Sequence, residues 1–268
     1  MKILSIGDIH GKNSWMNLTH NSVSSYNNWR VSVESGAHAD NEFWDEFPYM
    51  EYDKIIFVGD YVDSYDLSNV EILHNLKEII WFKKNLPDKV ILLIGNHDIQ
   101  YFIPNEICSG YRAEMKPDLE DLFNSNIGLF KIAHQELDKD GKPWIWTHAG
   151  ITEGWLKEVR TEVYNKFYRF NDFVKDIEEN NIDELLNVLF DLRNGVLFNI
   201  DAHSGGFNLW AGPVWVRPQI LNEFCLKGWN QIVGHTRQKD IKEVDLETHK
   251  IYYIDCLDSE GKGLILDL

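Results

Sequence analysis

Short apolar runs along the chain end abruptly in glycine followed by a polar residue. The runs Lys2–Ile6, Lys54–Val58 and Val90–Ile94 consist mostly of aliphatic and β-branched side chains, without a regular alternation of polar positions. Near-continuous apolar runs of this length are typical of β-strands that are buried on both faces. We therefore predict three strands inside a sheet that is covered on both sides.

A helical pattern separates the second run from the third. In Ser68–Phe82 apolar residues recur at positions 70, 72, 73, 76, 79 and 80, which predicts a helix and hence a βαβ unit with a right-handed crossover. The second half continues with further predicted elements, which are the strands Leu129–Ala133 and Pro143–Thr147, the helices Glu153–Arg160 and Phe173–Leu192, and the strands Gln231–Val233, Lys250–Ile254 and Gly263–Leu266. This order predicts an α/β protein with two sheets and helices outside them.

The sequence predicts a single domain over residues 1–268, because it contains no repeat and no linker rich in proline, glycine or serine. Its residues are 44% hydrophobic and 26% charged, which is typical of a soluble globular protein and excludes disordered and collagen-like classes. Residues 13–50 and 98–128 are aromatic or polar without a clean period, and we expect both to be insertions that cover a site. Since no apolar run approaches the roughly 18 residues of a membrane-spanning helix, we expect no membrane contact.

Charge and cysteine content limit the cellular compartments and the classes of binding partner that we expect. The formal net charge of −17 argues against binding of bulk nucleic acid, although a bound cation would still admit a small phosphorylated substrate. Three cysteines, odd in number and far apart, suit a reducing compartment. The first residues contain no apolar segment with a cleavage site, so we expect a cytoplasmic protein.

Residues that can bind metal follow the predicted strands. They occur in five segments, which are Gly7-Asp8-Ile9-His10-Gly11, Gly59-Asp60-Tyr61-Val62-Asp63, Gly95-Asn96-His97-Asp98, Thr147-His148-Ala149-Gly150 and Gly234-His235-Thr236. Ligands of open α/β sheets bind at the carboxyl ends of the strands, so we expect the five segments to converge. Each segment alone has an ordinary explanation as a turn, a helix cap or a half-buried histidine. A chance origin of all five in this order is the weaker explanation.

The side chains of these segments form a mixed oxygen and nitrogen donor set. A turn can direct Asp8 and His10 at one ion, and a carboxylate such as Asp60 can bridge two cations that lie roughly 3.5–4 Å apart. The remaining donors are one amide and two imidazoles, from Asn96, His148 and His235. A set without thiolates points to Mn, Fe or Zn, and it excludes a structural zinc knuckle and an all-oxygen calcium site.

The ordered motifs GDIHG, GDYVD, GNHD, HAG and GHT resemble those of the calcineurin-like metallophosphoesterases. They are most similar to the branch that holds the PPP-type serine/threonine phosphatases and the bacterial symmetrical diadenosine tetraphosphatases. The resemblance spans Ile3 to about Thr236. It implies a four-layer α/β sandwich, in which helices flank two packed mixed β-sheets.

The resemblance also implies a dinuclear metal centre. The implied ligands are Asp8 and His10 for the first metal, Asp60 as the bridge, and Asn96, His148 and His235 for the second metal. His97 would be the general acid that protonates the leaving oxygen, and Asp63 would orient and charge it. A water activated by the metals would attack phosphorus in line. Manganese is the expected metal, and Fe, Zn, Ni and Co are the alternatives.

Some positions depart from the PPP pattern and leave the substrate open. Asp63 is followed by Ser64-Tyr65, where PPP phosphatases usually carry Arg-Gly, and Asp98 replaces a glutamate, as in the diadenosine tetraphosphatases. A phosphate still needs a cationic or forked donor, for which Arg217 and Arg237 are the candidates. A Trp-x-Arg segment recurs in bacterial relatives of this branch and favours Arg217, while a surface ion pair is the alternative for each arginine.

The sequence thus predicts a dimetal phosphoesterase that hydrolyses a phosphate monoester of a phosphoprotein or a small phosphorylated molecule. The alternative activity is that of a symmetrical dinucleoside polyphosphate hydrolase, with a nucleotide substrate. A catalytically silent metal-binding scaffold is an alternative of another class, against which the complete residue set argues. Tryptophans near the motifs are commoner in cores than on nucleobases; they are Trp144, Trp146, Trp210 and Trp215. The sequence leaves the oligomeric state open.

Overall fold

The computed structural model describes residues 1–36, 47–103, 107–166, 181–200 and 205–268. The strands are β1 (Lys2–Ile6), β2 (Lys54–Phe57), β3 (Val90–Leu93), β4 (Phe130–Lys131), β5 (Ala133–Leu137), β6 (Pro143–Thr147), β7 (Asn230–Val233), β8 (Lys242–Asp245), β9 (Lys250–Tyr253) and β10 (Leu264–Asp267). The α-helices are α1 (Trp15–His20), α2 (Val23–Glu34), α3 (Asn69–Asn85), α4 (Asn96–Ile99), α5 (Lys116–Ser125), α6 (Glu153–Lys166), α7 (Ile182–Asp191), α8 (Pro218–Phe224) and α9 (Leu257–Glu260). Short 3₁₀ helices cover Pro48–Glu51, Ala113–Met115, Ile127–Leu129 and Gly195–Phe198.

The strands form two mixed sheets of five strands each. The first has the order β10-β1-β2-β3-β4, in which only β10 runs antiparallel to its neighbour. The second has the order β5-β6-β7-β9-β8, with a parallel centre from β6 to β9 and an antiparallel strand at each edge. The predicted architecture of two mixed sheets with helices outside is therefore confirmed.

The two sheets pack face to face through an apolar layer. The buried members of this layer are Ile3, Ile56, Val58, Ile91, Leu93, Trp144, Trp146, Ile232, Ile254 and Leu264. Ser5, the polar residue within β1, is buried and accepts a hydrogen bond of 2.8 Å from the indole Nε1 of Trp146. The alternate residues of the same strands pack against the helices. Burial on both faces explains why the sequence shows apolar runs without alternation.

The predicted strand Leu129–Ala133 is wrong as one element, because the chain changes sheets within it. Phe130–Lys131 pairs with β3 in the first sheet, and Ala133 begins β5 in the second. Asn187 of α7 stabilises the crossing. Its Oδ1 accepts hydrogen bonds from the backbone N–H groups of Ile132 (3.0 Å) and Ala133 (3.3 Å). A side chain 55 residues away thus satisfies the backbone N–H groups at the crossing. The apolar run in the sequence does not reveal this contact.

The predicted helices lie close to the observed ones. Ser68 caps α3 by accepting a hydrogen bond from the N–H of Glu71, so the helix begins one residue after the predicted start and extends to Asn85. The helix predicted from Glu153 continues to Lys166. Residues 173–180 of the other predicted helix lie outside the described residues, and α7 forms its remainder. No described helix is long and apolar enough to cross a membrane.

The two segments expected to be insertions differ in what they contact. The described part of 13–50 forms α1 and α2, whose buried aromatic residues belong to the main core. Within it, the ring of His20 lies 4.6 Å from that of Trp29 and 4.8 Å from that of Tyr49. Residues 37–46 lie outside the described residues. The segment 98–128, by contrast, approaches the carboxyl ends of the first sheet, where Tyr101 contacts Asp63.

Candidate active site

The five predicted segments meet where the carboxyl ends of the two sheets face each other. From the first sheet, Asp8 follows β1, Asp60 follows β2 and Asn96 follows β3. From the second sheet, His148 follows β6 and His235 follows β7. All five residues are buried or half-buried. The backbone N–H of His235 donates to Asp8 Oδ1 (3.1 Å) and Oδ2 (3.0 Å), and this contact joins the two sheets at the site.

Strained backbone turns aim the site residues at one another. Seven non-glycine residues of the described chain have positive φ, and four of them are predicted site residues, namely His10 (45°), Asp60 (53°), Asp63 (64°) and His235 (61°). Such a conformation costs of order 1–3 kcal/mol per residue and persists only where the surrounding structure enforces it. The concentration of strain at this point is typical of a functional site.

Two glycines allow the turns to approach without side chains between them. A Cβ on Gly95 would lie 2.1 Å from Asp60 Oδ1 and 2.5 Å from the Asp60 nitrogen. A Cβ on Gly234 would lie 2.0 Å from Asp8 Oδ1. The two carboxylates therefore occupy the space that the Cβ of any other residue at position 95 or 234 would need. This explains why glycine precedes Asn96 and His235.

The first group of donors surrounds the carboxylates of Asp8 and Asp60. Ligand atoms of Asp8, Asp60 and His148 all lie within 4.8 Å of one another. His10 lies beside them, with Nε2 4.0 Å from Asp60 Oδ2. Its Nδ1 donates to the carbonyl of Val62 (3.1 Å), so in the neutral ring the lone pair is on Nε2, the nitrogen that faces Asp60.

The second group of donors surrounds the amide oxygen of Asn96. Asn96 Oδ1 lies 3.0 Å from Nε2 of His148 and 2.9 Å from Nδ1 of His235. His148 Nδ1 donates to the carbonyl of Val58 (2.8 Å), which leaves the lone pair of the neutral ring on Nε2. That lone pair faces Asn96 Oδ1 and also Asp60 Oδ2, which is 3.3 Å away.

The donor set fits divalent cations. Lone pairs of carboxylate, amide and imidazole groups point at each other over distances that are unfavourable without a proton or a cation between them. His235 Nε2 is buried and has no hydrogen-bond partner among the described residues. Oxygen and imidazole donors without thiolate suit Mn, Fe, Zn, Co or Ni. Asp8, His10, Asp60, Asn96, His148 and His235 are the residues that would hold such ions.

A histidine–aspartate pair lies at the edge of the donor groups. His97 Nδ1 is 3.1 Å from Asp63 Oδ2, and the His97 ring centroid is 5.2 Å from that of His10. Gln100 Nε2 and the Tyr101 hydroxyl also donate to the Asp63 carboxylate, so its position is fixed from three sides. Because Asp63 can only accept, Nδ1 carries the proton and the imidazole is held in one orientation.

A family model decides the class of this arrangement. The model described as calcineurin-like phosphoesterase matches residues 1–255 of the chain. The chain belongs to the calcineurin-like phosphoesterase family. The resemblance of the five motifs to this family is thereby confirmed, and the coarse activity, hydrolysis of phosphoric esters, follows with it. A search of curated protein sequences found no match.

Solved structures match this phosphoesterase at low sequence identity. A cold-active protein-tyrosine phosphatase of a psychrophilic Shewanella species is 16% identical with a TM-score of 0.51, over 99% of this chain and 75% of that one. A protein serine/threonine phosphatase from Saccharomyces cerevisiae is 14% identical with a TM-score of 0.41, over 94% and 67% of the chains. A metallophosphoesterase from Sphaerobacter thermophilus is 15% identical with a TM-score of 0.34, over 94% and 75%. The likeness to the Shewanella enzyme shows a common fold.

Burial and neighbouring charges have opposing effects on the pKa values of residues in the phosphoesterase site. Burial disfavours the charge of Asp60, but neighbouring His148 and His97 outweigh burial and hold the pKa of Asp60 below its usual value. Burial also opposes protonation of His148, yet Asp60 and Asp8 raise its pKa to about 9. For His97, Asp60 and the hydrogen bond to Asp63 outweigh burial and raise the pKa to about 12. Both shifts favour a proton on the imidazoles of His148 and His97.

We expect the affinity of the site for Mn²⁺ to rise with pH up to about 9. The pKa of His148 is raised to about 9, so below this pH a proton occupies the imidazole and a cation must displace it. Displacement of one proton changes the affinity by up to about tenfold per pH unit. Calorimetric titration of the metal-stripped protein at several pH values measures the affinity. An affinity that stays constant from neutral pH to pH 9 would show that His148 is not a ligand.

Asp98 organises the loops that carry the predicted ligands Asp60 and Asn96. Its Oδ2 accepts hydrogen bonds from the N–H groups of Asp60 (2.8 Å) and Gly95 (2.9 Å), and its Oδ1 accepts one from Tyr61 (2.8 Å). Asp98 is fully buried, so these bonds satisfy three N–H groups that water does not reach. The motif position where the PPP pattern has glutamate thus has a structural role in this chain.

The two candidate phosphate-binding arginines lie in different surroundings. Arg217 is half-buried, and its Nη1 donates to the Thr236 hydroxyl (3.3 Å), next to His235. Arg237 is exposed on the rim and forms an ion pair of 3.1 Å with Asp258. The surface ion pair considered as the alternative for each arginine is therefore observed for Arg237.

Sequence reasoning missed one further acidic residue of the site. Asp255 is buried and, together with His10, His97 and His235, lines a cleft of about 230 Å³. Burial raises the pKa of Asp255 to about 6, although His10 nearby opposes the shift. The signal was present, because Asp255 directly follows the predicted strand Lys250–Ile254.

The tryptophans near the motifs have mainly packing roles. Trp144 and Trp146 are buried between the sheets. Trp215 is buried, with its ring centroid 5.8 Å from that of His235, whereas Trp210 is 44% exposed. Core packing, the commoner of the two roles considered, therefore accounts for three of the four.

Proposed function

We propose that this phosphoesterase hydrolyses a phosphate monoester, of a phosphoprotein or a small phosphorylated molecule, with two divalent cations and His97 as the general acid. Manganese is the first candidate for both cations. The observation that carries the proposal is the position of the His97–Asp63 pair, 3.1 Å apart, beside six converging metal donors. A proton donor next to such a centre is what departure of a poor leaving group requires.

Asp60 is well placed to be shared by two cations. Its Oδ2 lies 4.0 Å from Nε2 of His10 and 3.3 Å from Nε2 of His148, which also faces Asn96 Oδ1. We assign Asp8 and His10 to the first cation, and Asn96, His148 and His235 to the second. Cations bound there would supply Lewis acidity, a water of lowered pKa and neutralisation of the phosphoryl oxygens.

His97 is suited to hold a proton at the cleft. Its side chain is 14% exposed and lines the cleft that His10, Asp63 and His235 also line. The hydrogen bond from Nδ1 to Asp63 leaves Nε2 as the nitrogen that transfers a proton to a leaving oxygen. Tyr101 and Gln100 keep the Asp63 carboxylate in place while this occurs.

The charges around the cleft favour a substrate with a single phosphoryl group. Its lining includes the acidic residues Asp66, Asp255 and Asp258. Asp258 pairs with both rim cations, Lys12 and Arg237, so these are partly neutralised. Additional phosphates of a dinucleoside polyphosphate would meet these carboxylates. Arg217, half-buried beside Thr236, is the better candidate for contact with the phosphate.

His97→Ala is expected to lower turnover of an alkyl phosphate monoester by about 10²–10⁴-fold while both cations remain bound. The loss should be much smaller for an aryl ester whose leaving group needs no proton. Steady-state kinetics with the two esters, together with elemental analysis, measure both effects. His74→Ala is the control, because the His74 side chain is 67% exposed and lies outside the cleft.

Full activity of His97→Ala on the alkyl ester would remove His97 as the acid. Parallel assays with a phosphodiester, a phosphopeptide and a diadenosine polyphosphate distinguish the substrate classes. Faster formation of mononucleotides than of inorganic phosphate would favour the dinucleoside polyphosphate hydrolase. An absence of turnover on every ester, with two cations bound, would favour the silent scaffold.

A further inference from the structure

A thiol lies beside the general-acid pair. Among the described residues, Asp63, His97 and Cys108 form one of two groups of three side chains whose ligand atoms lie within 4.8 Å of one another. The Cys108 Sγ contacts Asn96, accepting from its Nδ2 at 3.6 Å and donating to its carbonyl at 3.7 Å. The backbone N–H of Cys108 donates to Gln100 Oε1 (3.0 Å), which fixes the loop against α4. This group differs from the dimetal donor set because it contains sulfur.

The dimensions of this group are close to those of a zinc site. Tetrahedral Zn²⁺ has bonds of about 2.3 Å to sulfur and 2.0–2.1 Å to nitrogen or oxygen, which separates neighbouring ligand atoms by roughly 3.3–3.8 Å. The His97 and Asp63 ligand atoms are 3.1 Å apart, and the sulfur lies within 4.8 Å of both. A shift of the half-buried thiol by about 1 Å would complete three ligands, and water would supply the fourth.

Solvent reaches the group through the cleft. His97 and Asp63 line the cleft, as does Ser109, the neighbour of Cys108. The lining also contains Asp66, Asp255 and Asp258, which raise the local concentration of cations. The cleft thus opens on this group as well as on His10 and His235.

We propose that Asp63, His97 and Cys108 form a third cation site that binds thiophilic ions such as Zn²⁺ and inhibits the enzyme. Sulfur favours Zn²⁺ over Mn²⁺, so the third site discriminates between an ion that inhibits and one that supports activity. Binding displaces the protons of the Cys108 thiol and of the His97 ring nitrogen that becomes the ligand. With the ion on Nδ1, His97 keeps its Nε2 proton but is no longer an imidazolium, and a neutral imidazole is far too weak an acid to protonate a leaving oxygen. The inhibitory consequence rests on the proposed function, whereas binding of the ion does not.

Ion binding is tested by spectroscopy, without any assay of activity. Co²⁺ is titrated into the protein preloaded with Mn²⁺, and the thiolate-to-cobalt charge-transfer absorbance is recorded. We expect one thiolate to contribute in the wild-type protein and none in Cys108→Ser. Cys225→Ser is the matched control, since Cys225 is buried and pairs with His249 (3.1 Å) away from the cleft. Absence of the band from wild type, or its persistence in Cys108→Ser, would overturn the site.

Inhibition is tested by titrating Zn²⁺ in the presence of excess Mn²⁺. Cys108→Ser is expected to keep the Mn²⁺-dependent turnover, because the serine hydroxyl can still accept from Asn96. We expect it to need at least about tenfold more Zn²⁺ for half-inhibition, since one ligand is lost. Equal inhibition of Cys108→Ser and wild type would show that Zn²⁺ acts at the dimetal centre, against the proposal. A protein that binds Co²⁺ through Cys108 but hydrolyses no ester would sink the proposed function and leave the site intact.

Discussion

Asp60→Asn is expected to abolish binding of at least one divalent cation and to lower phosphate monoester turnover by more than about a hundredfold. Loss of hydrogen bonds outside the ligand shell alone costs about 10–100-fold in such sites, and Asp60 is the carboxylate that faces both His10 and His148. The fold should persist. The amide oxygen can still accept from the N–H of His97, as Asp60 Oδ1 does at 2.9 Å, and the amide nitrogen can donate to His148 Nε2.

Elemental analysis and steady-state kinetics measure the two effects of Asp60→Asn. Asp66→Asn is the control, because Asp66 is an exposed carboxylate that lines the same cleft. Its substitution removes the same charge at a residue that does not contact the predicted ligands. Retention of two cations with near-normal turnover would mean that Asp60 does not bridge. Similar losses in both variants would mean that the negative potential of the cleft is the cause.

Gly95→Ala is expected to destabilise the protein and to empty the site at the same time. The added Cβ would lie 2.1 Å from Asp60 Oδ1 and 2.5 Å from the Asp60 nitrogen, which is backbone and cannot rotate away. Overpacking of this kind costs about 1–3 kcal/mol, occasionally more. The movement that relieves it displaces Asp60, so cation affinity falls as well. A proposed metal ligand is thus displaced without being mutated.

Denaturant unfolding of Gly95→Ala measures the free energy of unfolding, and titration with Mn²⁺ measures the cation affinity. Gly128→Ala is the matched control, since no atom lies within 4 Å of a Cβ at Gly128 and its φ is not positive. Its stability and affinity should match those of wild type. Unchanged Mn²⁺ affinity in Gly95→Ala would contradict the close approach of the two turns.

The sequence predicted those features best that depend on residues close together in the chain. β1 and β6 have the predicted bounds, because each is an apolar run that stops at a polar residue. The six predicted ligands converge in the structure for a similar reason: each follows a strand, and the strands end at a common edge. The glycines next to the predicted ligands were recognisable as turn residues. The sequence did not reveal which atoms approach each glycine in space, such as Asp60 Oδ1 at Gly95.

Contacts between distant segments were not predictable in this way. Tyr101 and Asp63 are 38 residues apart, and nothing in the local pattern of either residue names the other. The crossing at Ile132 depends on Asn187, a polar residue in a different helix. Helix α2 buries Tyr26, Trp29 and Ser32 while Val31 is 64% exposed, so hydrophobicity does not mark its inner face. In each case the tertiary environment determines the outcome.

The order of strands in the first sheet has a consequence for synthesis of the chain. β1 pairs on one side with β2 and on the other with β10, although β1 is the first and β10 the last of the strands in the described part of the chain. Until β10 emerges, one edge of an apolar central strand has no partner and can pair with another chain. This edge of β1 is therefore open to aggregation during synthesis of the chain. Asp8, after the end of that same strand, likewise lacks its contact with His235 until that residue, 227 positions later, has been translated.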